Sequence, residues 1–365
     1  MRIPKILILI SLTLLSVSLF SQNKKLRLGI DGLSHGHVFW VFTHPDTTTF
    51  EMVGIAEPNR ELALKMSKRY GFSMDIVYPS LEALLTNTKP EAIAAFNSPK
   101  EHLNTVKHCA PKGIHVMVEK PLALNYSDAV KMHDLALKHD IKLITNYETT
   151  WYPSNQYVYD KLNTQNEIGK ARRIIVNDGH NGPKEIKVQD EFLEWLTDPK
   201  KNGGGAITDF GCYGANLITW LKKGELPNYV YATKNTIKPN IYPNVDDDAT
   251  IVLEYDDMVG ILQPSWNWPF SRKDMEVYGE TGYVIARDKS NISYKFNRKD
   301  PEKTIFLTDN PNPRDNAFAF FKAVVRNDIV MDENDLSGID NNLKVMKILD
   351  AARKSARTGK KVKIK

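Results

Sequence analysis

The chain has 365 residues, of which 42% are hydrophobic and 25% charged, and its formal net charge is +5. This length exceeds what one hydrophobic core usually supports, so the sequence predicts two domains of ordinary globular composition. The basic residues are dispersed, without a stripe of interleaved aromatic residues, and this argues against a nucleic-acid partner.

Residues 1–21 are predicted to form a targeting segment that is not part of the folded domains. Arg2 and Lys5 precede the apolar run Ile6–Phe20, which as a helix would span roughly 22 Å, short of the ~30 Å hydrocarbon layer. The pattern is typical of a cleaved Sec-type export signal, so we expect a periplasmic or secreted protein, with an uncleaved membrane anchor as the alternative. Cys109 and Cys212 fall in different predicted elements and predict no disulfide.

The segment 22–145 carries the signature of repeated βαβ units, because short apolar runs alternate with helical patterns. Asn59 and Ser80 stand where they can cap two of the helices. The sequence therefore predicts an α/β domain built on a Rossmann-type, doubly wound parallel sheet. The predicted strands are Leu26–Ile30, Met52–Ala56, Ala92–Phe96, Ile114–Val118 and Lys142–Thr145.

In the segment 146–365 strand-like runs follow one another. Polar and apolar residues alternate in Ala249–Tyr255, as in a sheet with one face in water. We predict an α+β domain with a largely antiparallel, open sheet and a final helix over Asn341–Thr358. The predicted strands are Ala171–Val176, Val230–Lys234, Ala249–Tyr255, Gly260–Trp266, Met275–Tyr278, Gly282–Ala286 and Ile292–Phe296.

Polar residues follow two strands of the predicted parallel sheet. Glu119 and Lys120 come directly after Ile114–Val118, and Asn97 ends an earlier strand. Because ligands bind at the carboxyl ends of strands in open α/β sheets, Lys120 is a candidate catalytic residue and Glu119 and Asn97 are candidate cofactor contacts. His102, in the following helix, is a further candidate cofactor contact, with capping or packing as the alternative.

The turn after the first strand is a candidate phosphate-binding turn. Gly32 fits the dinucleotide fingerprint, but Ser34 and His37 stand where the pattern has a glycine and a small residue. The Ser34 hydroxyl can donate to a phosphate instead. His35 and His37 are predicted to line the cofactor pocket, and with no third committed ligand they predict no metal site. A glycine-bearing turn without a nucleotide is the alternative.

Glu57 ends the second strand, where a carboxylate can accept hydrogen bonds from the adenosine ribose hydroxyls. It would repel a 2′-phosphate, so it favours NAD over NADP. Arg60 is the counter-argument, because it could meet such a phosphate.

A second polar cluster follows the three glycines Gly203–Gly205. Asp209, Tyr213, Asn216 and Trp220 are spaced so that one helix would place all four on one face. We therefore predict that Asp209 and Tyr213 are catalytic and that Asn216 contacts substrate. The alternative is a polar-faced surface helix.

Three further residues are candidate substrate contacts. His180 lies in a turn-rich loop, and Trp151 and Tyr152 supply flat apolar surfaces that can stack on sugar rings. An aromatic core cluster is the alternative for the last two.

Taken together, these segments resemble the Gfo/Idh/MocA oxidoreductase family. The resemblance runs from about Lys25 to Lys363 and rests on the order and spacing of four segments. These are Glu119-Lys120-Pro121, the turn from Asn97 to His102, the segment from Gly203 to Trp220, and the C-terminal Ser355-Ala-Arg-Thr-Gly-Lys-Lys-Val.

The resemblance implies a Rossmann domain, a second domain whose open sheet mediates homo-oligomerisation, and a proton-transfer role for Lys120. Many relatives have a histidine where this chain has Tyr213, which implies a Lys120–Tyr213 pair. We expect Lys120 to lower the pKa of the Tyr213 phenol, and burial to lower the pKa of the lysine.

The resulting hypothesis is an NAD(P)-dependent oxidoreductase that acts on a secondary hydroxyl of a sugar, glycoside or polyol. Export implies a tightly bound cofactor, since soluble NAD is scarce outside the cytoplasm. One alternative is an NAD-requiring glycosidase or lyase that oxidises its sugar transiently. The other is a sugar- or nucleotide-binding protein without catalysis.

Overall fold

A six-stranded parallel sheet forms the first half of the computed structural model, which describes residues 24–44 and 46–364. The order β3-β2-β1-β4-β5-β6 places the reversal of strand order between β1 and β4, where Rossmann folds bind ligands. The predicted doubly wound sheet is confirmed, and the predicted leader 1–21 lies outside the described residues. The strands are β1 (Leu26–Asp31), β2 (Phe50–Ala56), β3 (Val77–Tyr78), β4 (Ala92–Ala95), β5 (His115–Glu119) and β6 (Leu143–Asn146).

Helices follow the strands of this sheet, and side-chain caps fix where two of them begin. Asn59 accepts hydrogen bonds from the backbone of Glu61 and Leu62, and Ser80 accepts one from Ala83, as predicted. The helices are α1 (Phe39–Thr43), α2 (Arg60–Tyr70), α3 (Leu81–Thr88), α4 (Pro99–Cys109) and α5 (Tyr126–Lys138).

A nine-stranded sheet forms the second domain, in the order β14-β13-β12-β11-β7-β10-β9-β8-β15. Its neighbouring strands are antiparallel except β7 and β10, which confirms a largely antiparallel sheet. Burial alternates along β9, so one face of the sheet packs on the core. The strands are β7 (Ala171–Gly179), β8 (Tyr229–Asn235), β9 (Asp248–Glu254), β10 (Val259–Ser265), β11 (Arg272–Gly279), β12 (Tyr283–Ala286), β13 (Asn291–Lys295), β14 (Lys303–Phe306) and β15 (Val362–Lys363).

The helices of the second half cover the inner face of this sheet and also return to the first domain. Phe320 and Phe321 pack in the same core as Leu28 and Ile30 of β1. This shared core joins the two domains. The helices are α6 (Pro153–Tyr159), α7 (Asp190–Leu196), α8 (Pro199–Asn202), α9 (Ala206–Asp209), α10 (Gly211–Leu221), α11 (Ala317–Val325) and α12 (Ile339–Thr358).

Two smaller expectations concern the cysteines and the membrane. Cys109 and Cys212 are buried free thiols. Within residues 24–44 and 46–364, none of the helices has both the length and the apolar character needed to cross a bilayer.

Candidate active site

A lysine and an aspartate from different domains meet at the centre of the molecule. Lys120 directly follows β5, and Asp209 ends α9. The lysine Nζ donates to the Asp209 carboxylate and, at 3.0 Å, to the Asp209 carbonyl oxygen. Trp266 donates its indole N–H to the other carboxylate oxygen at 2.9 Å. Both charged side chains are almost fully buried, with 6% and 4% exposure, so the pair is held in one geometry.

Tyr213 lies beside this pair, and we call Lys120, Asp209 and Tyr213 the reaction centre. The Lys120 Nζ lies over the Tyr213 ring, 5.1 Å from its centroid. Our expectation that the pKa values of these two residues move toward neutrality is wrong. Burial raises the pKa of Tyr213 well above its ordinary value. Burial opposes the charge on Lys120, but the Asp209 carboxylate holds the pKa of the lysine above its ordinary value.

Glu119 is a buried anion next to the reaction centre. It accepts a hydrogen bond from Asn146 at 2.7 Å and lies 3.0 Å from His37 Nδ1 and 4.0 Å from His35 Nε2. Burial opposes ionisation, but the histidines and their hydrogen bonds bring the pKa of Glu119 to about 2. The charge therefore persists at neutral pH and suits a cationic nicotinamide ring. Ligand atoms of Glu119, His35 and His37 lie within 4.8 Å of one another, so Glu119, which the sequence analysis assigned to the cofactor, is also a potential third metal ligand beside the two histidines.

A cavity of about 470 Å³ lies at the carboxyl ends of β1 and β4, and we call it the cofactor-side cavity. Gly32 has a φ of +84°, and a Cβ there would lie 2.9 Å from the Asn97 Cβ, so this turn requires glycine. Among the described residues the buried Asn97 Oδ1 has no hydrogen-bond partner. The close backbone and the unpaired amide oxygen fit a dinucleotide. The wall includes Asp31, Gly32, Ser34, Glu57, Asn97 and Trp195.

Glu57 lies in this wall, where the sequence analysis expected the ribose. Its two carboxylate oxygens accept hydrogen bonds from the backbone N–H groups of Leu33 and Asn59, each at 2.8 Å. These bonds fix the carboxylate against the glycine turn. Each oxygen keeps a second lone pair for a ribose hydroxyl.

The structure does not bring His102 or Asn216 into the site. His102 is fully buried, its Nδ1 lies 3.1 Å from the Leu122 carbonyl oxygen, and the described wall of the cofactor-side cavity does not include it. Asn216 is also fully buried and donates to the Leu336 carbonyl at 2.8 Å. The prediction of one continuous helical face is wrong, because the helix is interrupted at Phe210 between α9 and α10.

Each of the other three predicted substrate residues, His180, Trp151 and Tyr152, is held by a hydrogen bond. Gly182 donates its N–H to His180 Nδ1 at 2.9 Å, and burial lowers the pKa of this histidine to about 4. The ring is therefore neutral at pH 7. Trp151 donates to Asn146 at 3.0 Å, and Tyr152 donates to Glu148 at 2.5 Å.

Sequence analysis missed three ionisable residues near the reaction centre. Lys273 of β11 pairs with Glu148, and its Nζ lies 5.4 Å from the centroid of the Tyr213 ring. Asp178 of β7 is 2% exposed, and within the described residues its Oδ1 has no hydrogen-bond partner. Burial raises the pKa of Asp178 well above its ordinary value. Lys273 and Asp178 lie on strands far apart in the sequence, and only the sheet register brings them together.

Two family models match the chain. Residues 26–147 match the oxidoreductase family with the NAD-binding Rossmann fold, and residues 160–285 match the GFO/IDH/MocA C-terminal domain. Together they cover more than half of the chain. It belongs to the Gfo/Idh/MocA oxidoreductase family. Lys120 lies in the first matched segment and Asp209 in the second, so the reaction centre joins the two domains of this family.

Individual relatives are distant. A trans-1,2-dihydrobenzene-1,2-diol dehydrogenase of Xenopus laevis is 26% identical over 56% of this chain and 57% of its own length, so the chain spans little more than half of that relative. A D-xylose 1-dehydrogenase (NADP(+)) of Haloferax volcanii is 22% identical over 93% of this chain and 100% of its own length. The aldose-aldose oxidoreductase structure from Caulobacter crescentus, complexed with glycerol, has a TM-score of 0.76 and 20% identity, covering 93% and 99% of the two chains.

Proposed function

We propose that the protein is an NAD(P)-dependent oxidoreductase that transfers hydride between the nicotinamide and a secondary hydroxyl of a sugar, glycoside or polyol. The observation that carries this proposal is the buried contact between Lys120 and Asp209 beside the anion of Glu119. The diol and xylose dehydrogenase relatives support a hydroxyl-bearing substrate.

In this proposal Lys120 is the residue that accepts and donates the proton. When the hydroxyl is oxidised, its carbon loses hydride and its oxygen loses a proton to a neutral Lys120 amine. In the reverse direction the Lys120 ammonium protonates the carbonyl oxygen. Because Asp209 favours the ammonium, reduction is favoured at neutral pH and oxidation at alkaline pH. Asp209 positions the amine, and the neutral His180 can donate its Nε2–H to a substrate oxygen.

The cofactor-side cavity is the proposed binding site for the dinucleotide, whose nicotinamide supplies the hydride chemistry when it is bound. Gly32 and Ser34 would face the pyrophosphate and Glu57 the adenosine ribose, which favours NAD, with NADP as the alternative. We also propose that the cofactor is tightly retained, as an exported protein requires.

A second candidate is redox-assisted cleavage of a glycoside. The buried Asp178 favours it, because burial raises the pKa of this carboxyl and cleavage next to a transient ketone needs an acid for the leaving oxygen. Here hydride leaves the sugar, elimination releases the aglycone, water adds, and the same hydride returns. No external oxidant is consumed.

Two measurements test these candidates. Mass spectrometry of the purified protein identifies bound NAD or NADP, and an absorbance assay at 340 nm follows its redox change with sugars, glycosides and polyols. Hydroxyl oxidation supports the dehydrogenase, whereas catalytic aglycone release without added oxidant supports the glycosidase. If the protein binds no dinucleotide and oxidises none of these compounds, the remaining candidate is a binding protein without catalysis.

A further inference from the structure

A second cavity, of about 370 Å³, is lined by Glu148, which pairs with Lys273 beside the Tyr213 ring. We call it the aromatic pocket after Trp40, Trp151, Tyr152 and Phe318, which contribute most of its flat surfaces. Its volume lies within the roughly 300–1,000 Å³ that small-molecule sites occupy. The described lining does not include Lys120, Asp209 or Tyr213. The pocket therefore suits a part of the ligand that extends beyond the reacting carbon.

Hydrogen bonds and stacking connect two of these aromatic residues to Glu119, the anion next to the reaction centre. Trp151 donates to Asn146 at 3.0 Å, and Asn146 donates to Glu119 at 2.7 Å. On the other side, Trp40 stacks on His37 with ring centroids 4.0 Å apart, and His37 Nδ1 lies 3.0 Å from Glu119. The residues that orient Glu119 thus also orient the walls of the aromatic pocket.

A charged pair forms the boundary between the pocket and the reaction centre. Glu148 lines the pocket and pairs with Lys273, whose Nζ lies 5.4 Å from the centroid of the Tyr213 ring. Tyr152 donates to the same Glu148 at 2.5 Å. A ring bound at the reaction centre would therefore have its neighbouring group within reach of the aromatic pocket.

From this arrangement we infer that the substrate is a glycoside and that the aromatic pocket binds the group attached to the oxidised sugar. This inference rests on the proposed oxidoreductase function. The occupant offers a flat apolar face, which is either an aryl aglycone or the C–H face of a second sugar ring. Aromatic side chains bind both kinds of surface. Lys289, Asp315 and Asn316 at the rim offer hydrogen-bonding groups to its polar edge.

The test compares matched methyl and phenyl glycosides of glucose, galactose and N-acetylglucosamine, in both anomers, with cellobiose and maltose as a separate arm. NAD(P)-dependent oxidation gives kcat/KM, and calorimetric titration of the cofactor-loaded protein gives Kd. We expect the phenyl glycoside or the disaccharide of the preferred sugar to exceed its methyl glycoside by roughly tenfold in kcat/KM. If the phenyl glycoside shows the higher kcat/KM, the occupant is an aryl aglycone. If the disaccharide shows it, the occupant is a second sugar ring.

Thr43→Trp is the pocket-filling variant. Thr43 lines the aromatic pocket and donates from its hydroxyl to Phe39 one helical turn earlier. Thr86→Trp is the matched control, because exposed Thr86 makes the same bond to Glu82 on α3. Thr43→Trp should remove the tenfold preference, whereas Thr86→Trp, which lies outside the pocket, should keep both the preference and the methyl glycoside oxidation of the parent.

The outcomes separate this inference from the proposed function. Equal kcat/KM values for methyl and larger glycosides, or a preference that remains in Thr43→Trp, would refute the role of the aromatic pocket. Neither result would contradict the proposed oxidation of a hydroxyl. If none of these compounds is oxidised, and no free sugar or polyol is oxidised either, the proposed function fails. In that case a Kd preference for the larger glycoside that Thr43→Trp abolishes would still support the pocket as a binding site.

Discussion

The contact between Lys120 and Asp209 gives the sharpest expectation at the scale of single residues. Lys120→Ala should lower kcat by roughly 10²- to 10⁴-fold, the usual contribution of a positioned acid or base. The cofactor-side cavity does not include Lys120 among its described lining residues, so the Kd of NADH should change little. Steady-state kinetics and titration with NADH measure the two effects separately.

Lys120→Ala also leaves the buried Asp209 carboxylate unpaired, which costs about 3–5 kcal/mol of stability. The double variant Lys120→Ala/Asp209→Asn should recover most of that stability without recovering turnover. Lys131→Ala is the matched control, since the side chain of Lys131 is 54% exposed and pairs with Asp128 at the surface. Substantial turnover in the single variant, with the fold intact, would reject the assignment of Lys120.

The ionisation of Asp31 should make the affinity for the cofactor depend on pH. It lines the cofactor-side cavity, and burial raises its pKa to about 6. Below that pH the neutral carboxyl tolerates a pyrophosphate, and above it the carboxylate repels one. The affinity for NADH should therefore fall as pH rises through about 6, and Asp31→Asn should flatten this dependence. Fluorescence titration between pH 5 and 8 measures both, and an unchanged slope in the variant would contradict the prediction.

Lys120, Glu119 and Asn97 were predictable site residues, because polar residues directly after strands of a parallel sheet share one edge of that sheet. Glu148 and Lys273 were not predictable, because their contact joins two segments that lie 125 residues apart in the chain. The single helical face was wrong for a local reason, because the sequence spacing does not reveal the break at Phe210 that separates Asp209 from the helix of Tyr213 and Asn216.

At the scale of elements, the Gly203–Gly205 loop fixes the position of α9 and thus of Asp209. A Cβ on Gly205 would lie 1.8 Å from the Asp246 carbonyl oxygen, and the Asp246 carboxylate accepts from the N–H groups of Gly205 and Ile207 at 3.2 Å and 2.8 Å. Gly205→Ala should therefore cost about 1–3 kcal/mol of stability and reduce kcat.

Urea unfolding and steady-state kinetics measure these two effects. Gly211→Ala is the control, because its Cβ would meet the flexible Ile251 Cδ1 at 3.2 Å and alanine favours a helix. Its stability should stay within about 1 kcal/mol of the parent. Equal effects of the two substitutions would contradict a special role for the Gly205–Asp246 contact.

Helix α7 covers the glycine turn and provides a physical basis for cofactor retention. Trp195 donates to the Ser34 hydroxyl at 3.1 Å, and Gln189 donates to the carbonyls of Leu33 and Ser34 at 2.9 Å and 2.6 Å. Trp195→Phe removes one hydrogen bond, worth about 1 kcal/mol, so NADH should dissociate about fivefold faster. Stopped-flow fluorescence measures the rate. Trp220→Phe is the control, and an equal effect there would argue against retention by α7.

Most strands were predictable because burial on one or both faces imposes a pattern on the sequence. The alternation in β9 and the apolar run of β4 are examples. The two-residue strands β3 and β15 are too short to impose a pattern. Helix α11 was missed because all but one of its residues are buried, so it has no polar face to reveal its period.

At the scale of the whole molecule, the outer face of the nine-stranded sheet carries a row of half-exposed side chains. Five of the six residues in this row are apolar or aromatic, and the strand register aligns them across β8, β9, β10, β7, β11 and β12. Extended apolar rows on a protein surface mark interaction sites. In this order the residues are Tyr231, Val252, Ile261, Ile175, Glu276 and Ile285.

We propose that a second copy of the chain covers this row, because an open sheet face of this kind needs a partner to bury it. Ile261→Lys places a charge at its centre, between Val252 and Ile175. An interface of roughly 1,200–2,000 Å² cannot bury that charge unpaired, so the variant should be a folded monomer and the parent an oligomer. Light scattering coupled to size exclusion measures both masses. Val330→Lys, at a position 88% exposed, should leave the parent mass unchanged. A parent that is monomeric at micromolar concentration, or an Ile261→Lys variant with the parent mass, would show that the sheet face stays open to water.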